Sequence, residues 1–252
     1  MAEAVISLRQ LNITFGTHTV LDNIDLDVYR GETLAILGPS GTGKSTVLRS
    51  MIGLLEPNGG KIYIQGEDVS ELDEAGWNRL RMKMGMVFQY SALFDFLTVG
   101  ENVAFGLRQH TDKGEEEIRQ IVAQMLEMVG LPDTQDLYPA ELSGGMKKRV
   151  GLARAIAVSP EIVLYDEPTA GLDPIMSHNI SRLIKKTQQQ LHVTSVLVTH
   201  DMQSAFYAAD RVAMLYKGRI VAIGTAEEMQ QSANPIVKAF IEGREIKEQV
   251  IE

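Results

Sequence analysis

Gly38-Pro39-Ser40-Gly41-Thr42-Gly43-Lys44-Ser45-Thr46 fits the pattern G-x-x-x-x-G-K-[ST], which sets flexible backbone, a cation and a hydroxyl side by side. That combination suits a polyphosphate. Gly41 and Gly43 let the backbone curl so that successive N–H groups point inward, and a following helix adds the partial positive charge of its N-terminus. Lys44 would then reach the β- and γ-phosphates, and the Ser45 hydroxyl would ligate Mg²⁺. The loop predicts binding of ATP or GTP, the alternative being a glycine-rich turn that only caps a helix.

A second group stands at 162–167. Ile162-Val163-Leu164-Tyr165 is an apolar strand that delivers Asp166 and Glu167 at its C-terminal end, the edge where ligands sit in open α/β sheets. Asp166 would hold Mg²⁺ through its water shell, and Glu167 would orient and polarise the water that attacks the γ-phosphate. A carboxylate pair after a strand also serves as a helix cap or surface turn, and it is the glycine loop that favours chemistry. A third group, Leu142-Ser143-Gly144-Gly145-Met146, precedes a helix carrying Val150, Ala153, Ile156 and Ala157. Ser143 is a natural N-cap, and the two glycines expose N–H groups to an anion. The Lys147-Lys148-Arg149 cluster that follows reads as a solvated helix face, at a mild cost against the helix dipole, and the sequence supplies no firm reason for its charge.

The elements that must position these groups are also legible. Thr33-Leu34-Ala35-Ile36-Leu37 before the loop is apolar enough for a strand buried on both faces, and Val47, Leu48, Met51, Ile52 and Leu55 after it recur at helical spacing. Parallel strands are expected at 33–37, 85–89, 162–166 and 195–199. Residues 5–30 alternate instead, which predicts a half-buried antiparallel hairpin. Ile62-Tyr63-Ile64 and the pair 212–216 and 219–223, joined at Lys217-Gly218, are expected to be further antiparallel structure. Ile118, Ile121, Val122, Met125, Leu126 and Val129 form one helical stripe ending at Gly130, and the acidic run 115–117 is a solvated first turn. Thr225 and Glu228 make a capping box for a short helix.

At 252 residues and 44% hydrophobic content the chain can bury a sizeable core. It has no cysteine, and its five histidines form no pair at ligand spacing, which excludes thiolate chemistry and cysteine metal sites. The net charge of −9 disfavours non-specific nucleic-acid binding. No apolar run reaches the ~18 residues that cross a bilayer, and Met1-Ala2-Glu3-Ala4 lacks a signal-peptide layout, so the chain is expected to stay in the cytosol.

These motifs together resemble the ATP-binding cassette (ABC) ATPases over nearly the whole length. The family signature Leu-Ser-Gly-Gly-Gln is matched at 142–146 except that Met146 replaces glutamine. The resemblance implies an α/β fold: a P-loop NTPase (RecA-like) core with an antiparallel β subdomain and an inserted α-helical subdomain. It implies a single domain over 1–242, with the core at about 1–89 and 159–224, the helical insertion at about 90–158, C-terminal helices at about 225–242 and a charged tail at 243–252. It further implies that Phe15 stacks on adenine, that Gln89 senses the metal and γ-phosphate, that Asp173 belongs to the D-loop of residues 170–173, and that His200 contacts the γ-phosphate. Phe15 could otherwise be core, Gln89 a strand-end amide and His200 a surface side chain.

In such cassettes two copies pair head to tail, and Ser143, Gly144 and Gly145 of one copy close over the ATP seated on the other's glycine loop. ATP and Mg²⁺ are the implied cofactors. The stretch Tyr90-Ser91-Ala92-Leu93-Phe94-Asp95-Phe96-Leu97-Thr98-Val99 either presents an apolar patch to a partner's coupling helix or packs under the helical insertion. Together with the signature and the preceding Ala140-Glu141, it is similar to the ATPase subunit of Mce/Mla-type transporters. That resemblance implies phospholipid transport with a permease, an Mce-domain lipid-binding protein and in some members a STAS-domain subunit, at the cytoplasmic side of the inner membrane. An importer cassette for a small polar solute is the nearest alternative. A non-transport cassette acting on nucleic acid or ribosomes would call for a second cassette, a long coiled coil or a basic arm, and none is visible.

Overall fold

The computed structural model describes residues 3–246, so most of the charged tail lies outside the described residues. The chain forms two compact units, one of residues up to 77 together with those from 194 onward, the other of residues 78–193.

The first unit opens with β1 (Ala4–Phe15) and β2 (His18–Tyr29), which pair antiparallel as their alternation predicts. Leu11, Ile13, Ile24, Leu26 and Val28 are buried on one face. After β3 (Thr33–Leu37), the glycine loop and α1 (Lys44–Met51), the chain returns through β4 (Gly59–Ile64), which adds to β1, and the short β5 (Glu67–Asp68). The resulting sheet has the order β2-β1-β4-β5. Helix α2 (Glu74–Arg81) runs across the boundary into the second unit.

In that second unit β6 (Met84–Val87) is followed by α3 (Val99–His110) and α4 (Glu115–Met128). A single 3₁₀ turn (Pro139–Glu141), α5 (Gly144–Ala157), β7 (Ile162–Asp166) and α6 (Pro174–Leu191) complete it. Strand β6 pairs parallel with β7, and it stops two residues short of Gln89, where a strand had been expected to continue. Of the α4 stripe, Ile118, Val122, Leu126 and Val129 are buried while Ile121 and Met125 lie at the edge. The acidic first turn of α4 is exposed and ion-paired to Arg108, Lys113 and Arg119.

The chain then returns to the first unit with β8 (Thr194–Thr199), α7 (Met202–Ala208), β9 (Arg211–Tyr216), β10 (Arg219–Gly224), α8 (Ala226–Gln230) and α9 (Pro235–Ile241). Its second sheet runs β10-β9-β3-β8. The β9–β10 hairpin therefore differs from the expectation of a purely antiparallel setting: β9 pairs parallel with β3, Leu34 opposite Arg211. The reason lies in its residues, since Val212-Ala213-Met214-Leu215 is a continuous buried run and not an alternating one. The tight turn uses positive φ at both Lys217 (45°) and Gly218 (76°). Among the described residues no helix is long and apolar enough to cross a membrane.

Candidate functional site

The glycine loop leaves β3 at Leu37, whose partner across the parallel pair is Thr199 of β8. Gly38 and His200 thus leave adjacent strands at the same sheet edge, with His200 exposed. Gly41 (φ 80°) and Gly43 (φ 99°) adopt the left-handed conformation that the curled loop requires, and Gly43 is the N-cap of α1. The Thr42 hydroxyl donates to Pro39 O at 2.9 Å. Lys44 is buried at the mouth of the loop, its ammonium donating to Gly38 O at 2.9 Å and Pro39 O at 3.0 Å. The ring of Phe15 ends β1 and is 52% exposed, which excludes a core role for it. Its hairpin reaches the loop through Val20 and Leu21, against which a Cβ at Gly43 would clash.

The second unit carries the carboxylates. Val87 lies opposite Tyr165, so Gln89 and Glu167 each stand two residues beyond paired positions at one strand end. Asp166 and Glu167 are both buried, and Glu167 has φ 46°. Asp173 caps α6 by accepting from Met176 N at 2.9 Å, ahead of Pro174 at the first turn. At the start of α5, Ser143 Oγ accepts from Met146 N at 3.3 Å, as an N-cap should. Ser143 and Gly144 are exposed, whereas Gly145 is packed so closely on Met176 that a Cβ there would stand 2.3 Å from its Cε.

The basic cluster after this motif is not the solvated face its composition suggested. Lys148 is 7% exposed, with its Nζ bonded to Gln89 O. Burial lowers its pKa, opposed by the charges of Glu167 and then Asp166. Arg149 caps the end of α4, donating to Gly130 O at 3.1 Å. A lysine stem can bury its methylenes and still present the charged head to a carbonyl, and nothing in a linear sequence distinguishes that from a side chain in water. The mismatch of three cations with the positive end of a helix was the one signal available.

The stretch 90–99 divides. Ser91 and Val99 are buried, but Tyr90 is 85% and Phe96 77% exposed. Phe94 stacks obliquely on Phe96 (5.8 Å between ring centres) and Phe105 (4.8 Å). Asn102, fully buried and not singled out by the sequence, holds this loop by accepting from Phe94 N and donating to Phe94 O, Leu97 O and Thr98 O.

A family profile described as "ABC transporter" matches residues 21–170. The probable ribonucleotide transport ATP-binding protein mkl of Mycobacterium leprae is 42% identical over 96% of this chain and 70% of its own. The intermembrane phospholipid transport system ATP-binding protein MlaF of Haemophilus influenzae is 40% identical over 96% of this chain and 92% of its own. Among solved structures, the dimeric ATP-binding cassette MJ0796 in a post-hydrolysis state with ADP and phosphate superposes with a TM-score of 0.80 at 33% identity, covering 88% of this chain and 98% of that one. cbiO1 of Clostridium perfringens, part of the ABC transporter complex cbiONQ, gives 0.85 at 31% identity with 95% of each chain covered. With its glycine loop, capped signature helix and paired carboxylates on this fold, the chain belongs to the ABC transporter family as one of its ATP-binding, ATP-hydrolysing cassettes.

Proposed function

We propose that this cassette powers the movement of phospholipids between membranes, acting as a homodimer docked on membrane-embedded permease subunits. The observation that carries the cargo is the 40% identity, nearly end to end, with a protein named for intermembrane phospholipid transport. The relative named for ribonucleotide transport favours a second reading in which the same motor drives a nucleotide carrier. The exposed aromatics Tyr90 and Phe96 support docking, because an apolar cluster of this kind is stabilised when a partner covers it.

In this reading the N–H groups of residues 38–46 seat the phosphates, Lys44 neutralises the β- and γ-phosphates, and Phe15 stacks on the base. The Ser45 hydroxyl, Gln89 amide oxygen and Asp166 carboxylate are hard oxygen donors of the kind Mg²⁺ takes alongside water and substrate phosphates. Mg²⁺ held there would neutralise charge that develops on the transferred phosphoryl group. Glu167 orients and polarises the attacking water, and His200 steadies the γ-phosphate from the strand end beside the glycine loop. Ser143, Gly144 and Gly145, with Asp173 at the start of the helix that packs on Gly145, serve the nucleotide held by the other copy. Closure over ATP and release after hydrolysis convert chemistry into movement. The chain would then lie at the cytoplasmic face of the inner membrane, in company with an Mce-domain protein and a STAS-domain subunit.

Recovery of the chain from its native membrane in mild detergent, with mass spectrometry of proteins and lipids, tests this reading. A multi-span permease with an Mce-domain protein and bound phospholipid is expected. A permease with a soluble solute receptor would replace lipid by a small polar cargo.

A further inference from the structure

Two of the cations on helix α5, Lys148 and Arg154, have no part in the roles above. Lys148 donates to Gln89 O. Further along, Arg154 donates to Ala92 O at 2.7 Å and to Ser91 O at 2.8 Å, with its guanidinium 6.0 Å from the centre of the Phe94 ring. Between them Gly151 lets the helix approach: a Cβ there would lie 3.4 Å from Ser91 Cβ and 3.5 Å from Ser91 O. Residues 148, 151 and 154 are three apart, so they share one side of the helix. The segment they face is strained, with Ser91 at φ 63° and Ala92 at φ 47°. Non-glycine residues persist in that conformation only where their surroundings over-determine it, and charge-assisted bonds to consecutive carbonyls supply the restraint. The charges of Glu167 and Asp166 both act on Lys148, so the same ammonium lies within electrostatic reach of the carboxylate pair.

We propose that Lys148 and Arg154 form a clamp through which the helix beginning at Ser143 sets the position of the Gln89 segment, making Lys148 a positioning residue for hydrolysis. The inference rests on the roles proposed for Gln89 and Glu167. A displacement of α5 when Ser143 engages nucleotide on the other copy would carry Gln89 with it, and Arg154 extends the linkage to Phe94 and the exposed aromatics. The chemistry is that of a tether: the ammonium contributes by fixing the backbone that aims the Gln89 side chain.

The test compares Lys148→Met, Lys148→Arg, Arg154→Lys and the parent, with Glu167→Gln alongside. Hydrogen exchange is measured at the amides of Ser91, which donates to Phe88 O at 2.9 Å, and of Phe94, without nucleotide; kcat and KM for ATP are measured separately. Lys148→Met is expected to speed exchange at Ser91 by about tenfold or more and to lower kcat by about tenfold, with KM held within about twofold. Lys148→Arg, which keeps donor and charge, should recover most of both. Arg154→Lys cannot span two carbonyls as a planar fork does, and should speed exchange at Ser91 and Phe94 even if Lys148→Met does not fold. Parent-like exchange in every variant, or equal impairment by Met and Arg at 148, overturns the clamp. Normal hydrolysis by Glu167→Gln would instead remove the role given to Glu167, while the exchange data still judge the clamp.

Discussion

Glu167 shows at the scale of one residue why the carboxylate pair is more than a turn. Its φ of 46° costs about 1–2 kcal/mol for a residue with a Cβ, and both it and the preceding Asp166 are buried. Glutamine there is isosteric but takes no proton, so Glu167→Gln is expected to keep ATP binding and lower turnover by about 10²–10⁴. Single-turnover hydrolysis with nucleotide retention checks it, and parent-like rates would end the assignment. Gly38 makes a different demand. A Cβ there would stand 2.2 Å from Leu215 O, a backbone atom that cannot swing aside, whereas a Cβ at Gly41 meets open space. Gly38→Ala should therefore destabilise the protein by about 1–3 kcal/mol and weaken nucleotide binding, while Gly41→Ala carries only the strain of its positive φ, about 1–2 kcal/mol. Denaturant midpoints and nucleotide titrations of the two variants should rank them in that order; the reverse order would show that the crowding at Gly38 relaxes.

Among the elements, α3 depends on its first turn. Thr98 and Glu101 form a complete capping box, with bonds of 3.2 and 2.8 Å. Thr98→Ala should cost about 0.5–2 kcal/mol, seen as a fall in melting temperature of about 2–4 °C per kcal/mol for a domain of this size. Asn102→Ala should cost more, because it removes the partner of Phe94 N and of Leu97 O in a half-buried loop. A smaller loss for Asn102→Ala than for Thr98→Ala would mean that water replaces the amide. The two elements also differ in how openly the sequence announced them. The capping box at Thr225 and the N-cap at Ser143 are readable because capping is local, whereas Asn102 looks like any polar residue in a helix until its partners, four to eight residues back, are placed.

For the whole molecule, the proposed homodimer has the exposed Ser143 and Gly144 at the start of α5 serve nucleotide on another copy. Mixing chains defective at Ser143 with chains defective at Lys44 is expected to give heterodimers that retain one intact site and hydrolyse ATP, although neither parent dimer does. Mixed dimers shown to form, yet devoid of hydrolysis or nucleotide occlusion, would count against the shared-site arrangement.

The sequence by itself determined the loop, the strand before it and the helix after it, the carboxylate pair at a strand end and the cap of the signature helix, because each depends on residues within about one turn or one strand of each other. Even the class of chemistry followed from those local patterns. Tertiary structure decided the rest. It placed β9 parallel to β3, it set Gly38 against Leu215, and it buried Lys148 on the Gln89 carbonyl. Whether a lysine faces water or a carbonyl 59 residues away is settled by which elements pack together, and that is a property of the folded chain and not of the lysine's neighbours in sequence.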